Sequence, residues 1–442
     1  MRSPRSAFAW LVAKEARELA AAPSWWVLLV AIGPLVGVTF INAARTYAEA
    51  SGLNGTTAGV GEAFSPLVGI WSPTFSACEV AAVFLLPFVA IRLVAGDQQS
   101  GALKIEGQHP MPPIVRVVAK VMVLVGAWIV ASLAPFAAVL LWIQYGGHVH
   151  VPELLAVAVG HLLNAGLTIA LAAAAAALTE HPSTAAIFTL AVTVGTWVLN
   201  FIAAVQGGIW ETMAGYTPPA MIAEFQHGLV RLDAVLISLA FIAAGMGLAA
   251  IGMRRGVAFR RRLRESLVLG AVTAAVVFAC SFVNSTWDFS ENRMNSFPRA
   301  DEEALERLNA PLSMEVHLAP EDPRRADLEH KAIAKLRRVL PKVLVHYESA
   351  TSIGLFEQTS PHYGEIWYEI GGRRLMSRAT TGESALETIY ELAGVTPPVE
   401  RDEDVFRGYP LAVYPSGAAT VFYGIWPAAM TAVALVVSRR QR

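Results

Sequence analysis

Apolar side chains in this chain come in long blocks, not in the short alternating patches of a water-soluble domain. A bilayer's hydrocarbon layer of about 30 Å takes about 20 apolar helical residues to cross. Eight stretches qualify: Ser24 to Ile41, Thr74 to Ala95, Val117 to Ile143, Leu154 to Leu178, Ala185 to Val205, Ala234 to Met253, Leu267 to Val283 and Ala418 to Val437. Before the first of them, Phe8, Leu11, Val12 and Leu19 recur at helical spacing, with Arg5, Lys14, Arg17 and Glu18 off that face. That pattern predicts an amphipathic helix lying in the interface. Pro23 ends it, and Trp25 and Trp26 stand where an aromatic belt anchors a span. No short apolar core with a small-residue cleavage site precedes Pro23, so no cleaved signal is expected.

Between the seventh and eighth stretches the period changes. Pro311 to Leu318 and Lys342 to Tyr347 read as strands, and Arg325 to Leu340 carries Leu328, Ile333, Leu336 and Leu340 at helical spacing. The order predicts a parallel β-α-β unit. Gly371-Gly372 between two further strand-like runs signals a two-residue hairpin. A last helix follows, with Thr381 or Ser384 as its cap.

Composition agrees with the blocks: of 442 residues, 55% are hydrophobic and 16% charged, against about 25% charged in a soluble domain. The net charge of −1 is a cancellation. Asp288 to Gly417 holds 15 basic and 22 acidic side chains, a net −7, and the rest of the chain is +6. Lys and Arg crowd alternate connections: Arg2, Arg5, Lys14 and Arg17; Arg92, Lys104, Arg116 and Lys120; six arginines from Arg254 to Arg264; and Arg439, Arg440 and Arg442. The positive-inside rule then predicts both termini in the cytoplasm and residues 287–416 outside it, in an inner (cytoplasmic) membrane. The arginines from Arg254 to Arg264 need only topology and anionic lipid to explain them, and no nucleic-acid partner is expected. The two cysteines, Cys78 and Cys280, lie in apolar runs and suggest no disulfide.

The longest cytoplasmic connection, Ile91 to Lys120, combines Gly, Pro and both signs of charge. Its series of Asp97, Ser100-Gly101, Pro110 or Pro112, and Lys120 resembles the permeases of the ABC-2 export group. Lys14-Glu15 in the interfacial helix is similar to that family's elbow helix, and Thr217 to Asp233 to its external segment before the sixth span. The likeness covers about residues 5 to 255, and Asp97 stands where a Glu is more usual. It implies an ATPase-coupling set of Lys14, Glu15, Asp97, Ser100, Gly101, Lys104 and Lys120, a partner ATPase, and a second permease copy or related permease. No G-x-x-x-x-G-K-[ST] loop occurs, so ATP is expected on the partner only. From Trp287 onward, Asp288, Asn292-Arg293 and Ser296 before a helix and strand resemble the auxiliary protein of gliding-motility-type ABC systems, in a shortened form.

The expected architecture is an α-helical polytopic membrane protein with an inserted extracytoplasmic α/β domain. It divides into an interfacial helix (1–22), a six-helix permease (23–256) with coupling loop 91–120, a basic linker and seventh helix (257–286), the α/β domain (287–416), and an eighth helix with a basic tail (417–442). The expected activity is that of a non-catalytic exporter permease; a membrane-anchored assembly or scaffold protein is the alternative. Glu79, His161, Asn164 and Asn200 are the candidate translocation-path residues, because polar side chains inside spans are costly and mark pathways or interhelical bonds. His148-x-His150 offers only two imidazoles and predicts no metal site. His317, His330, His346 and His362 show no local ligand spacing. No catalytic cluster or cofactor is expected, and an apolar bundle selects its cargo by shape and depth, which leaves lipid, peptide, polysaccharide, drug and metal-linked cargo all open.

Overall fold

The computed structural model describes residues 4–53, 64–101, 111–206, 209–254, 256–308, 310–319, 322–340, 342–348, 362–398 and 406–441. Helices α1 (Pro4–Ala21) and α2 (Pro23–Leu53) are followed by a wide turn at Leu67–Trp71, then α3 (Ser72–Phe84) and α4 (Leu86–Gln99). Next come α5 (Pro113–Ala131), α6 (Leu133–Gln144), α7 (Val151–Leu178), α8 (Pro182–Gln206), the short α9 (Ile209–Ala214) and α10 (Pro218–Gln226). Strand β1 (Leu229–Arg231) leads into α11 (Leu232–Gly252), α12 (Phe259–Cys280) and β2 (Thr286–Asp288). The α/β part contains α13 (Arg299–Glu306), β3 (Leu312–Val316), α14 (Pro323–Leu328), a wide turn at Glu329–Ile333, α15 (Ala334–Val339), β4 (Val343–Tyr347), β5 (Ile366–Ile370), β6 (Arg373–Ser377) and α16 (Gly382–Ala393). A wide turn at Thr420–Ile425 opens α17 (Trp426–Gln441).

Eight helical segments among the described residues are long and apolar enough to cross a membrane, at the eight places the sequence marks. The chain is a mostly helical, polytopic membrane protein. Its first span runs on to Gly52, well past the apolar block that ends at Ile41. The physical reason is amphipathicity: Ala43, Ala44, Tyr47 and Ala48 are buried while Asn42, Arg45, Thr46 and Glu49 are exposed, so the helix keeps a packed stripe after its hydrophobic block ends. The second and third spans are each broken in two, α3/α4 and α5/α6. Pro87 and Pro135 follow these breaks and have no N–H to continue the ladder. At the second break, Ser132 Oγ donates to the Trp128 carbonyl at 2.9 Å, beside the Ser132 N–H bond to the same carbonyl at 2.8 Å.

Contacts divide the chain into two units. The first comprises residues 1–197, 218–287 and 408–442. Its tightest seam joins α7 to α11. A Cβ on Gly245 would lie 3.0 Å from the Ala170 backbone, and one on Gly252 would lie 2.7 Å from the Ala177 carbonyl oxygen. The alanine run from Ala170 to Ala177 is buried there apart from Leu171. Small residues on both helices are what permit that approach.

The second unit holds residues 198–217 and 288–407. Its sheet has the order β4-β3-β5-β6. β3 and β4 are parallel, as the strand-helix-strand pattern predicts, and β3–β5 and β5–β6 are antiparallel. Leu312, Met314 and Val316 of β3 and Ile366, Tyr368 and Ile370 of β5 face a core shared with Leu328, Ile333, Leu336, Leu340, Leu386 and Ile389. Gly371 and Gly372 both have positive φ, 59° and 81°, which a two-residue hairpin turn of this hand demands. Thr381 caps α16 by accepting from the Ser384 N–H. Asp322 does the same for α14, accepting from the Arg324 N–H.

Candidate functional site

Three helices meet where α1 lies against the end of α4 and the start of α5. On α1, Leu11, Glu15 and Leu19 follow one another at i, i+4 and i+8, and all three are buried. A carboxylate thus sits in the middle of the apolar stripe. This position was legible in the spacing but lay outside the set Phe8, Leu11, Val12 and Leu19 that defines the amphipathic face. A lone buried carboxylate would be severely penalised, and the neighbouring helices supply its partners.

Lys120, about two turns into α5, is buried beside it, as is Asp97 in the last turn of α4. Lys120 Nζ donates to Glu15 Oε2 at 2.6 Å, to the Leu93 carbonyl at 3.2 Å, and to Asp97 Oδ2. All three ammonium hydrogens therefore have acceptors. Lys14 Nζ reaches the other oxygen of each acid, Glu15 Oε1 at 3.3 Å and Asp97 Oδ1 at 3.1 Å, and also Glu18 at 3.2 Å. The result is a closed ring, Lys14–Glu15–Lys120–Asp97, in which cations and anions alternate. Burial pushes the Glu15 carboxyl above the ordinary carboxylate range, against the pull of Lys120 and Lys14.

Of the residues that the family likeness singles out, Lys14, Glu15, Asp97 and Lys120 thus come into direct contact. Ser100 is exposed at the end of α4, where its hydroxyl donates to the Gly96 carbonyl at 2.8 Å. Gly101 has φ +78°, the left-handed conformation that commonly closes a helix. Lys104 and Pro110 lie outside the described residues, and Pro112 directly precedes α5. No protein-family model, curated protein or solved structure matches this chain. The ring must therefore be read from its own chemistry. It ties three segments together through paired, mostly buried charges.

The intramembrane candidates occupy separate places. Glu79 in α3 is half-buried and pairs with the Trp197 indole N–H. His161 and Asn164 are both buried on α7. The His161 ring packs against Phe75 at 5.6 Å and its Nε2 lies 3.4 Å from Gln226 Nε2. Asn164 lines a narrow cleft with Gly160, Met221, Phe225 and Ser238. Asn200, in the second unit, donates to Thr217 Oγ1 at 2.7 Å. The other paired histidines also have local partners: His148 stacks on Tyr409 at 3.7 Å, and His150 Nδ1 lies 4.0 Å from Glu153.

On the second unit's sheet, three of the four histidines that look scattered in sequence, His317, His346 and His362, come near one another or near shared carboxylates, and His330 does not. Glu315 and His317 lead up one side of β3 and its end, His346 and Glu348 up the same side of β4, and the parallel register places Glu315 opposite His346. Glu365, next to His317 through the His317 N–H bond to its carbonyl at 3.0 Å, accepts from Arg378 at 3.2 Å and pairs with His362 at 3.0 Å. The signal was two acid/histidine pairs at i, i+2, one on each predicted strand of the β-α-β unit. It becomes visible only when the strands are placed side by side.

Proposed function

We propose that the chain is the membrane permease subunit of an ABC-type exporter, driven by a separate ATPase and completed by a second copy or a related permease. ATP binding on the partner moves the cytoplasmic segment between α4 and α5, and the spans follow. The observation that carries this reading is the ring of Lys14, Glu15, Asp97 and Lys120. It fastens an amphipathic helix to both ends of the one loop long enough to receive a cytoplasmic partner, so a push on that loop is passed to two spans and α1 together. In this reading both termini are cytoplasmic, the α/β unit is on the far side of an inner membrane, and Glu79, His161, Asn164 and Asn200 supply polar positions along or beside the cargo route.

The test is purification from native membranes in mild detergent. The wild-type chain is expected to bring down an ATP-hydrolysing subunit. The neutral triple variant E15Q/D97N/K120M should remain folded and bind that subunit, yet lose cargo-stimulated hydrolysis. If the wild-type chain carries no ATPase, the exporter reading fails and the scaffold alternative gains. Orientation has its own check: an impermeant thiol label should reach a cysteine at exposed Glu387 from outside intact cells and should reach one at Ser100 only after lysis.

A further inference from the structure

We infer that the side of the sheet carrying Glu315, His317 and Glu348 binds a divalent transition-metal ion, with zinc as the ion whose chemistry fits best. The inference is independent of the exporter reading. One ring nitrogen of His317 and one carboxylate oxygen from each of Glu315 and Glu348 lie within 4.8 Å of one another. His317 Nε2 is 3.0 Å from Glu315 Oε1 and His317 Nδ1 is 4.0 Å from Glu348 Oε2. The two distances start from different ring nitrogens, and a single ion takes one of them. Ligands held at about 2.0–2.2 Å around a tetrahedral zinc stand about 3.3–3.6 Å apart, between the two values, so Glu348 moves toward the nitrogen that the ion takes.

The donors are also held in place. The His317 side chain is only 11% exposed, and its backbone is fixed on the β5 side by bonds from its N–H to the Glu365 carbonyl at 3.0 Å and to its carbonyl from the Gly364 N–H at 2.8 Å. Arg374 engages the other oxygen of Glu315, Oε2, while lying over the Trp367 ring at 4.5 Å. This leaves Oε1 turned toward the imidazole. Glu348 is anchored by its N–H to the Val316 carbonyl at 3.2 Å, and its carboxylate is nearly half exposed, so it closes onto an arriving ion without disturbing the core. His346, 3.8 Å from Glu348 and largely exposed, supplies the second imidazole by a turn of its side chain. Two carboxylates and two imidazoles suit zinc better than magnesium or calcium, which prefer oxygen alone. Among the described residues the one Lys or Arg ion-paired with Glu315 or Glu348 is Arg374, on Glu315 Oε2, so two carboxylates face one cation and an arriving ion meets a net negative patch.

The experiment uses the tag-free, full-length chain in detergent, stripped with chelator and titrated with zinc alone by calorimetry, with the bound metal counted after gel filtration. The wild type is expected to keep one zinc per chain that the variants lose. E348Q/H346Q alters only exposed side chains and should still fold. It is expected to weaken that zinc by about 100-fold or more, as loss of donors that touch the ion exceeds the 10–100-fold cost of disturbing their supports. H148A/H150A is expected to leave it unchanged. Three results would overturn the proposal: no retained zinc in the wild type, equal affinity in E348Q/H346Q, or loss of the ion in H148A/H150A. Each would leave the Glu–His contacts as a hydrogen-bonded network without metal.

Discussion

The ring of Lys14, Glu15, Lys120 and Asp97 and the patch of Glu315, His317, His346 and Glu348 use similar side chains in different proportions. In the ring, two carboxylates meet two ammonium groups, and every oxygen of Glu15 and Asp97 has a lysine nitrogen within 3.3 Å. Oxygens of Glu15, Glu18 and Asp97 converge closely enough to hold a metal ion, but the ammonium groups of the chain itself already stand among them. On the sheet the carboxylates meet imidazoles, and the guanidinium of Arg374 takes Glu315 Oε2 while His317 faces Oε1. Whether an acidic cluster is a joint or a site depends on where its own cations sit.

The largest effect that separates the two is removal of one cation from each. Lys120→Met leaves two buried carboxylates with Lys14 as their one shared ammonium, and breaking a buried ion pair from one side costs about 3–5 kcal/mol. Thermal unfolding in detergent should register a loss of that order. Adding E15Q and D97N to K120M removes the stranded charges as well, and should recover all but about 1–2 kcal/mol, since neutral replacement of a whole buried network is often close to neutral. If K120M alone melts with the wild type, the ring is wet and cannot serve as a rigid joint.

How much of this was readable in the sequence differs between the two units for a physical reason. The spans, the β-α-β order, the Gly371-Gly372 turn and the Thr381 cap follow from local periodicity and turn chemistry, which need only neighbouring residues. Lys14, Glu15, Asp97 and Lys120 could be marked one by one through family likeness, yet that they form one alternating ring depends on how three helices cross. The extended first span was missed because Ala43, Ala44, Tyr47 and Ala48 make a stripe too weakly apolar to read as membrane. The histidine patch was missed because β3 and β4 are parallel strands separated by a helix, so Glu315 and His346 are neighbours across 31 residues of chain.

Acid sharpens the comparison at intermediate size, because two carboxylates shift in opposite directions. The Arg324 side chain, with its own N–H and the Tyr363 hydroxyl, holds Asp322 down to about 2. A depressed value means stability that is complete above the unfolded value near 3.8 and lost as pH falls through about 2. Because Asp322 is near the surface, water reduces its contribution to about 1–2 kcal/mol. Glu15, raised by burial, has the reverse sign: its charged form penalises the folded state, and that penalty is relieved as pH falls through its raised value toward the ordinary 4.5. On acidification the wild type should therefore lose stability relative to D322N and gain it relative to E15Q, two changes of opposite sign. Parallel profiles would mean that Glu15 is not desolvated.

The smallest effect on stability is the most discriminating for the sheet. Arg374→Ala removes a guanidinium that is nearly half exposed, and an exposed ion pair stacked on an indole contributes about 1 kcal/mol or less. A change in the melt beyond that size would place Arg374 with the buried ring and erase the contrast between the two clusters. Zinc titration gives the sign. The guanidinium both competes with a metal ion for the charge of Glu315 and fixes the carboxylate's direction. If the patch is a site whose own cation sits outside it, competition dominates and R374A binds zinc more tightly than the wild type. If affinity falls instead, by the 10–100-fold expected when a ligand loses its support, Arg374 belongs to the site as the group that aims Glu315. Its position outside the donors would then be a requirement for binding and not a sign of vacancy within.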